Sequence, residues 1–168
     1  MKIYKNIAAF IVIGTLGTLF HFMYKWTGNN MLAGYIFPVN ESIWEHLKLI
    51  FYPSIIYYTI EYLFTKDKPE NYIQSVIIGI FKGMLLTVVL YYTYIGILGK
   101  NIDFINIAIF FISVIKVIVT KNKVEKSGKY TDMNLKIILI MSLILFVLVF
   151  AVWSYNPPSL GIFLPPDA

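Results

Sequence analysis

Five long apolar runs separated by short polar links set the pattern of this chain, at about 7–24, 43–64, 72–98, 103–120 and 133–153. Each is near the roughly 20 residues with which an α-helix crosses the hydrocarbon core of a bilayer. The pattern predicts an all-α fold, an integral membrane bundle of five transmembrane helices forming one domain over 1–168. Local signals sharpen the ends of these elements. Ser42-Ile43-Trp44-Glu45 has the S-x-x-E form of a capping box, and Asn40 is a competing N-cap one turn earlier. Pro53 lies inside the second run and should kink it. Gly99 to Asn101 reads as a tight turn, and Lys121 to Asp132 as the most charged link.

The first run follows Lys2 and Lys5, as in a signal peptide, but it is long, ends in His21, Tyr24, Lys25 and Trp26, and lacks an A-x-A-like cleavage site. It reads as a retained span. Small residues mark two places for close helix approach: Gly14, Gly17 and Thr18 in the first span, and a GxxxG pair, Gly79 and Gly83, in the third. The second pair is a candidate docking surface for a partner helix. The tail, Ser154 to Ala168, holds four prolines (Pro157, Pro158, Pro165 and Pro166) and should not be helical. Its Leu160, Ile162, Phe163 and Leu164 should lie along the interface or pack on the bundle, with the tail and the first loop meeting over the mouth of the helices.

Composition supports the membrane class. Of 168 residues, 58% are apolar and 14% charged, against about 45–50% and 25% in soluble domains. An ordinary soluble enzyme, a disordered chain and a nucleic-acid arm are excluded. The fourteen positive side chains are all lysine and nine acids leave a net charge of +5. Their placement between apolar runs fits topology, not nucleic-acid binding. There is no cysteine, so no disulfide and no thiolate ligand. Ten lysines (Lys2, Lys5, Lys66, Lys68, Lys116, Lys121, Lys123, Lys126, Lys129 and Lys136) fall on one side of the five-span pattern. Three (Lys25, Lys48 and Lys100) fall on the other, and Lys82 lies within a span. The positive-inside rule then places the N-terminus inside and the C-terminus outside.

This orientation gathers the chemically versatile side chains on the outer side. On an ideal helix Glu41, Glu45, Lys48 and Tyr52 fall within about 60° of one another, with Thr59 continuing the stripe and His46 about 100° away from Glu45. Such a stripe should face the bundle interior or a water-filled cavity. His21 reaches a comparable depth from the first span, and Asp103 and Asn156 lie at the same boundary. Three readings compete. His21, Glu41, Glu45 and His46 offer N and O donors suited to a divalent metal, or a carboxylate acting as general base beside an imidazole in a membrane-embedded hydrolase or lipid-modifying enzyme. Asn40, Lys48, Tyr52, Asp103 and Asn156 could instead bind a small polar ligand or lipid headgroup. The plain structural alternative is a capped helix start with a Glu45–Lys48 pair at i, i+3. Glu61 is expected to reach water or Lys66, or to pair with Lys82; otherwise Lys82, like Lys116, snorkels. Trp26, Trp44 and Trp153 fall where an aromatic belt would lie. No P-loop, G-x-S-x-G or dinucleotide-binding glycine pattern is present.

The run Pro38 to Lys48, PVNESIWEHLK, resembles the signature of a family of small bacterial multi-pass membrane proteins of unknown function. His21-Phe22-Met23-Tyr24-Lys25-Trp26 and Tyr155-Asn156-Pro157-Pro158 resemble that family's flanking segments, so the likeness covers nearly the whole chain. It implies a bacterial cell-membrane location and an outer site, and supplies no catalytic assignment.

Overall fold

The computed structural model describes residues 2–166, and Met1, Asp167 and Ala168 at the ends of the expected domain lie outside it. Among the described residues the secondary structure is entirely helical: α1 (Lys2–Trp26), α2 (Met31–Gly34), α3 (Ile43–Phe64), α4 (Tyr72–Leu98), α5 (Asp103–Ser127), α6 (Met133–Trp153) and a 3₁₀ turn (Gly161–Phe163). The five long helices run up and down, which creates two ends. The histidine end holds α2, the start of α3, the 99–102 turn and the tail. The lysine end holds the 65–71 and 128–132 links.

Among the described residues four helices are long and apolar enough to cross a membrane: Ile3–Trp26, Tyr72–Leu98, Asp103–Ser127 and Met133–Trp153. That marks the chain as a membrane protein. α6 makes the point most directly, because Ile138, Met141, Leu145 and Leu148 are all more than half exposed, an apolar face that water would not tolerate at this size. α3 is not among the four. It carries Glu45, Lys48 and Glu61, and it is also the most enclosed helix, packed between α1 and α4 with Ile50, Phe51 and Tyr58 in the core. A helix sheltered by its neighbours need not be lipophilic itself.

The charged segment 121–127, expected as link, continues α5 for almost two turns. Lys and Glu are good helix formers, and the stop is Gly128, which adopts the left-handed conformation (φ 60°) that a glycine C-cap supplies. Gly99 (φ 67°) ends α4 in the same way.

Close approach explains the glycines. A Cβ on Gly83 would lie 2.4 Å from Val117 Cγ2 and 3.0 Å from the Ser113 carbonyl oxygen, and one on Gly79 would lie 2.9 Å from that of Val117. The helix received by the GxxxG pair is thus α5 of the same chain, and the two backbones leave no space there for an outside partner. Thr87, one turn beyond Gly83, extends the seam by donating to Ser113 Oγ (2.9 Å). At Pro53 the missing N–H frees the carbonyl of Leu49. There α1 comes close: a Cβ on Gly17 would stand 2.6 Å from the Leu49 oxygen.

The tail packs on the bundle. Phe163 is buried against Trp44 and Trp153 (ring centroids 5.0 and 5.2 Å). Trp44, expected in the belt, is a core residue stacked among Phe146, Phe150 and Trp153. Loop and tail meet where the Tyr155 hydroxyl donates to the Met31 carbonyl (2.8 Å).

Candidate functional site

The start of α3 sorts its polar residues into two groups, and the helix boundary does the sorting. Ser42 is the N-cap, in extended conformation, and its Oγ accepts from the Glu45 N–H (3.4 Å). The capping box is only half made: the Ser42 N–H donates to Asn40 Oδ1 (2.9 Å), while the Glu45 carboxylate turns to the Val39 N–H (2.8 Å). Asn40 therefore shapes the entry turn. Because the helix begins at Ile43, helical phase does not govern Glu41. That corrects the expected four-residue stripe: Glu41 points with His46, and Glu45 points with Lys48.

The inner group is sealed. Lys48 Nζ and Glu45 Oε2 are 2.8 Å apart, with side chains 0% and 1% exposed. The ammonium also donates to the carbonyls of Gly34 (2.8 Å) and Phe37 (3.4 Å) and to Ser154 Oγ. The Ser154 hydroxyl lies 2.8 Å from Glu45 Oε1. Tyr52 donates to the Tyr35 carbonyl (3.0 Å). The pair thus ties the first loop and the end of α6 to α3, and Glu45, Lys48 and Tyr52 are absent from the wall of the open cavity at this end.

The outer group is open. His21 Nε2 and His46 Nε2 approach the same oxygen, Glu41 Oε2, at 3.9 and 3.4 Å, and Lys25 Nζ lies 3.8 Å from the other. The two imidazoles stack at 5.5 Å and 28°. One donor atom from each of His21, Glu41 and His46 lies within 4.8 Å of the others. His46 Nδ1 is 2.8 Å from the Ser42 carbonyl. A carbonyl only accepts, so Nδ1 donates to it, which fixes the ring with Nε2 directed at Glu41. The hydrogen-bonding His46 ring holds the Glu41 carboxyl below the usual carboxylate range; partial burial opposes this, and His21 and Lys25 reinforce it. Glu41 therefore keeps its charge into acid conditions that protonate ordinary glutamates.

These three residues open onto a cavity of about 430 Å³ whose wall includes Tyr91, Asn101, Asp103, Asn106 and Pro166. Asp103 is thus brought to the cluster from the first turn of α5. Asn156 is exposed and outside this wall. Asn101 and Asn106 were not singled out from the sequence, where they read as turn and span. Both lie within hydrogen-bond reach of Tyr94 (2.8 and 2.6 Å) and Asn106 Nδ2 donates to Asn101 Oδ1 (2.8 Å). An amide pair seven to twelve residues from a tyrosine at a helix end was the available signal.

At the lysine end Glu61 takes a partner the sequence did not suggest. Lys121 Nζ lies 3.0 Å from Glu61 Oε2 and 2.9 Å from Glu125 Oε1, and Tyr72 donates to Glu61 (2.7 Å). The expected alternative, Glu61 with Lys82, is not formed. Lys82 sits exposed on α4 with no ion pair among the described residues.

Comparison with curated proteins and with solved structures gives no match. The likeness that does emerge spans the helices, the histidine cluster and nearly all of the tail: residues 2–166 match a family of unknown function, DUF6512, and the chain belongs to it.

Proposed function

We propose that this is a five-helix integral protein of the bacterial cell membrane whose outward-facing cavity binds one divalent transition metal through His21, Glu41 and His46. The observation that carries the reading is the convergence of both Nε2 atoms on one carboxylate oxygen. A simple ion pair needs only one imidazolium and gives the second ring no task there. A cation held by two neutral imidazoles and a carboxylate uses all three groups, and a two-His, one-carboxylate set leaves coordination positions open. The adjoining cavity, with Asp103 in its wall, supplies room at those positions for a small polar ligand or lipid headgroup. The same room favours metal-assisted hydrolysis as the second reading, with a bound water as nucleophile.

α3 serves as the fifth span in this proposal. Its 22 residues suit the bilayer thickness, and its charges are sheltered by α1, α4 and the loops. Lysine asymmetry supports the histidine end as the outer one. A cysteine placed at Ser159 in this cysteine-free chain is expected to react with a membrane-impermeant thiol reagent on intact cells, and one at Ser127 is not. The reverse pattern would put the cavity inside.

The metal is tested by titrating the chelator-treated protein in detergent with Zn²⁺ or Co²⁺. One ion per chain is expected. His21→Ala and His46→Ala should each weaken binding by more than the roughly 10–100-fold that follows loss of a merely orienting partner. Affinity should fall as the solution is acidified, because the imidazoles must be neutral to ligate, while Glu41 stays ionised. Absence of stoichiometric binding, or binding indifferent to His21→Ala, defeats the proposal.

A further inference from the structure

At the lysine end two cavities share Tyr72. One is an apolar crevice of about 270 Å³ between α3, α4 and α6, walled by Ile55, Tyr62, Ile73, Val76 and Leu143. From Ile55 to Tyr62 it follows α3 for about 10 Å at helical rise. The other is a polar chamber of about 470 Å³ holding Lys5, Glu61, Lys66, Asp67, Lys121 and Glu125. Neither belongs to the histidine cluster, which lies at the opposite end of the bundle.

The charges of the chamber are locally unmatched. Lys121 is a single ammonium between two carboxylates, Glu61 and Glu125, so that corner carries surplus negative charge. Lys5 donates only to the neutral Thr65 hydroxyl (3.1 Å), and neither Lys5 nor the exposed Lys66 forms an ion pair among the described residues. With Asp67 beside them, also without an ion pair among the described residues, that corner carries one surplus positive charge. Tyr58, 3% exposed, lines the crevice with its ring under the Lys121 ammonium (5.2 Å to the centroid), and its hydroxyl has no hydrogen-bond partner among the described residues. A buried donor without a partner is costly, and an acceptor entering from outside relieves it.

An apolar slot, an unsatisfied donor and separate negative and positive corners offer one partner each to an acyl chain, an ester carbonyl, an ammonium and a phosphate. We propose that the lysine end binds one glycerophospholipid with a phosphoethanolamine headgroup. An acyl chain fills the crevice and an ester carbonyl accepts from Tyr58. The phosphate pairs with Lys5 and Lys66, and the primary ammonium donates to the Glu61–Glu125 corner. An anionic headgroup would match the lysines but leave the surplus carboxylate unanswered. A phosphocholine has no N–H to donate to it.

The test uses full-length protein stripped of lipid in detergent, then offered chain-matched phosphatidylethanolamine, phosphatidylglycerol, phosphatidylcholine or diacylglycerol, with bound lipid counted by native mass spectrometry. One phosphatidylethanolamine per chain is expected, preferred about tenfold over each of the others, the effect of roughly one charge-assisted hydrogen bond. The pair Lys5→Gln with Lys66→Gln, both at solvent-reachable positions, should erase the preference over diacylglycerol, and Tyr58→Phe should weaken retention without changing headgroup order. Equal retention of all four lipids, retention of phosphatidylglycerol as good as or better than phosphatidylethanolamine, or a preference untouched by the lysine pair would overturn the assignment. Soluble glycerophosphoethanolamine should not compete; if it does, the chamber is a headgroup-only site and the crevice has no part in it.

Discussion

Lys48→Met is expected to destabilise the protein by about 3–5 kcal/mol, the cost of stranding one member of a buried ion pair. The Glu45 carboxylate would lose its counter-ion in a place with almost no access to water, and the carbonyls of Gly34 and Phe37 would lose their donor. The magnitude should not be mistaken for the net contribution of the pair. Adding Glu45→Gln to Lys48→Met is expected to recover much of the loss. A neutral amide oxygen can still accept from Val39 N–H, and apolar replacement of a buried pair is often close to neutral. Chemical unfolding in detergent, followed by tryptophan fluorescence, measures both, since Trp44 and Trp153 sit beside this network. A single-variant loss within the roughly 0.5 kcal/mol of ordinary surface changes would show that the pair is not sealed.

The second large effect is at the other end. Lys121→Met leaves Glu61 and Glu125 facing each other without their shared ammonium. The expected cost is smaller, about 1–3 kcal/mol, the range for leaving a buried polar group unsatisfied. These side chains are about a tenth exposed (9% and 11%), and the polar chamber beside them admits water. Glu61→Gln in the Lys121→Met background should restore part of the loss, because Tyr72 can still donate to the amide oxygen. A double-mutant cycle reads this directly, and zero coupling between Lys121 and Glu61 would contradict the observed geometry.

The helices were legible in the sequence because long apolar runs are a strong signal and Gly99 marks a turn, while the end of α5 at Gly128 was masked by the charged residues before it. The convergence of His21 with Glu41 was also foreseeable, since alternating spans return successive helix ends to one side. What could not be read was which way Glu41 turns. A helical wheel that starts at Glu41 groups it with Glu45, while the real helix starts two residues later, and helix boundaries are uncertain by about that much. Lys121 was hidden for a different reason. Its partner Glu61 is sixty residues away, and the helical turns that carry it look like a solvated link in composition. The Gly79–Gly83 pair showed that something packs closely there, but a spacing motif does not say whether the neighbour is another molecule or the next helix.

The ties made by Ser154 have a bearing on how the protein is made. α3 emerges from the ribosome second among the long helices, yet it is not apolar enough by itself to count among the four that are. One of the groups that completes its buried charge pair arrives 106 residues after Lys48, at the end of the last long helix. The order of synthesis and the order of stabilisation are therefore opposed. Until α6 is in place, the charges of α3 are without their full set of partners. The buried pair of α3 is therefore completed only by a residue at the far end of the last long helix.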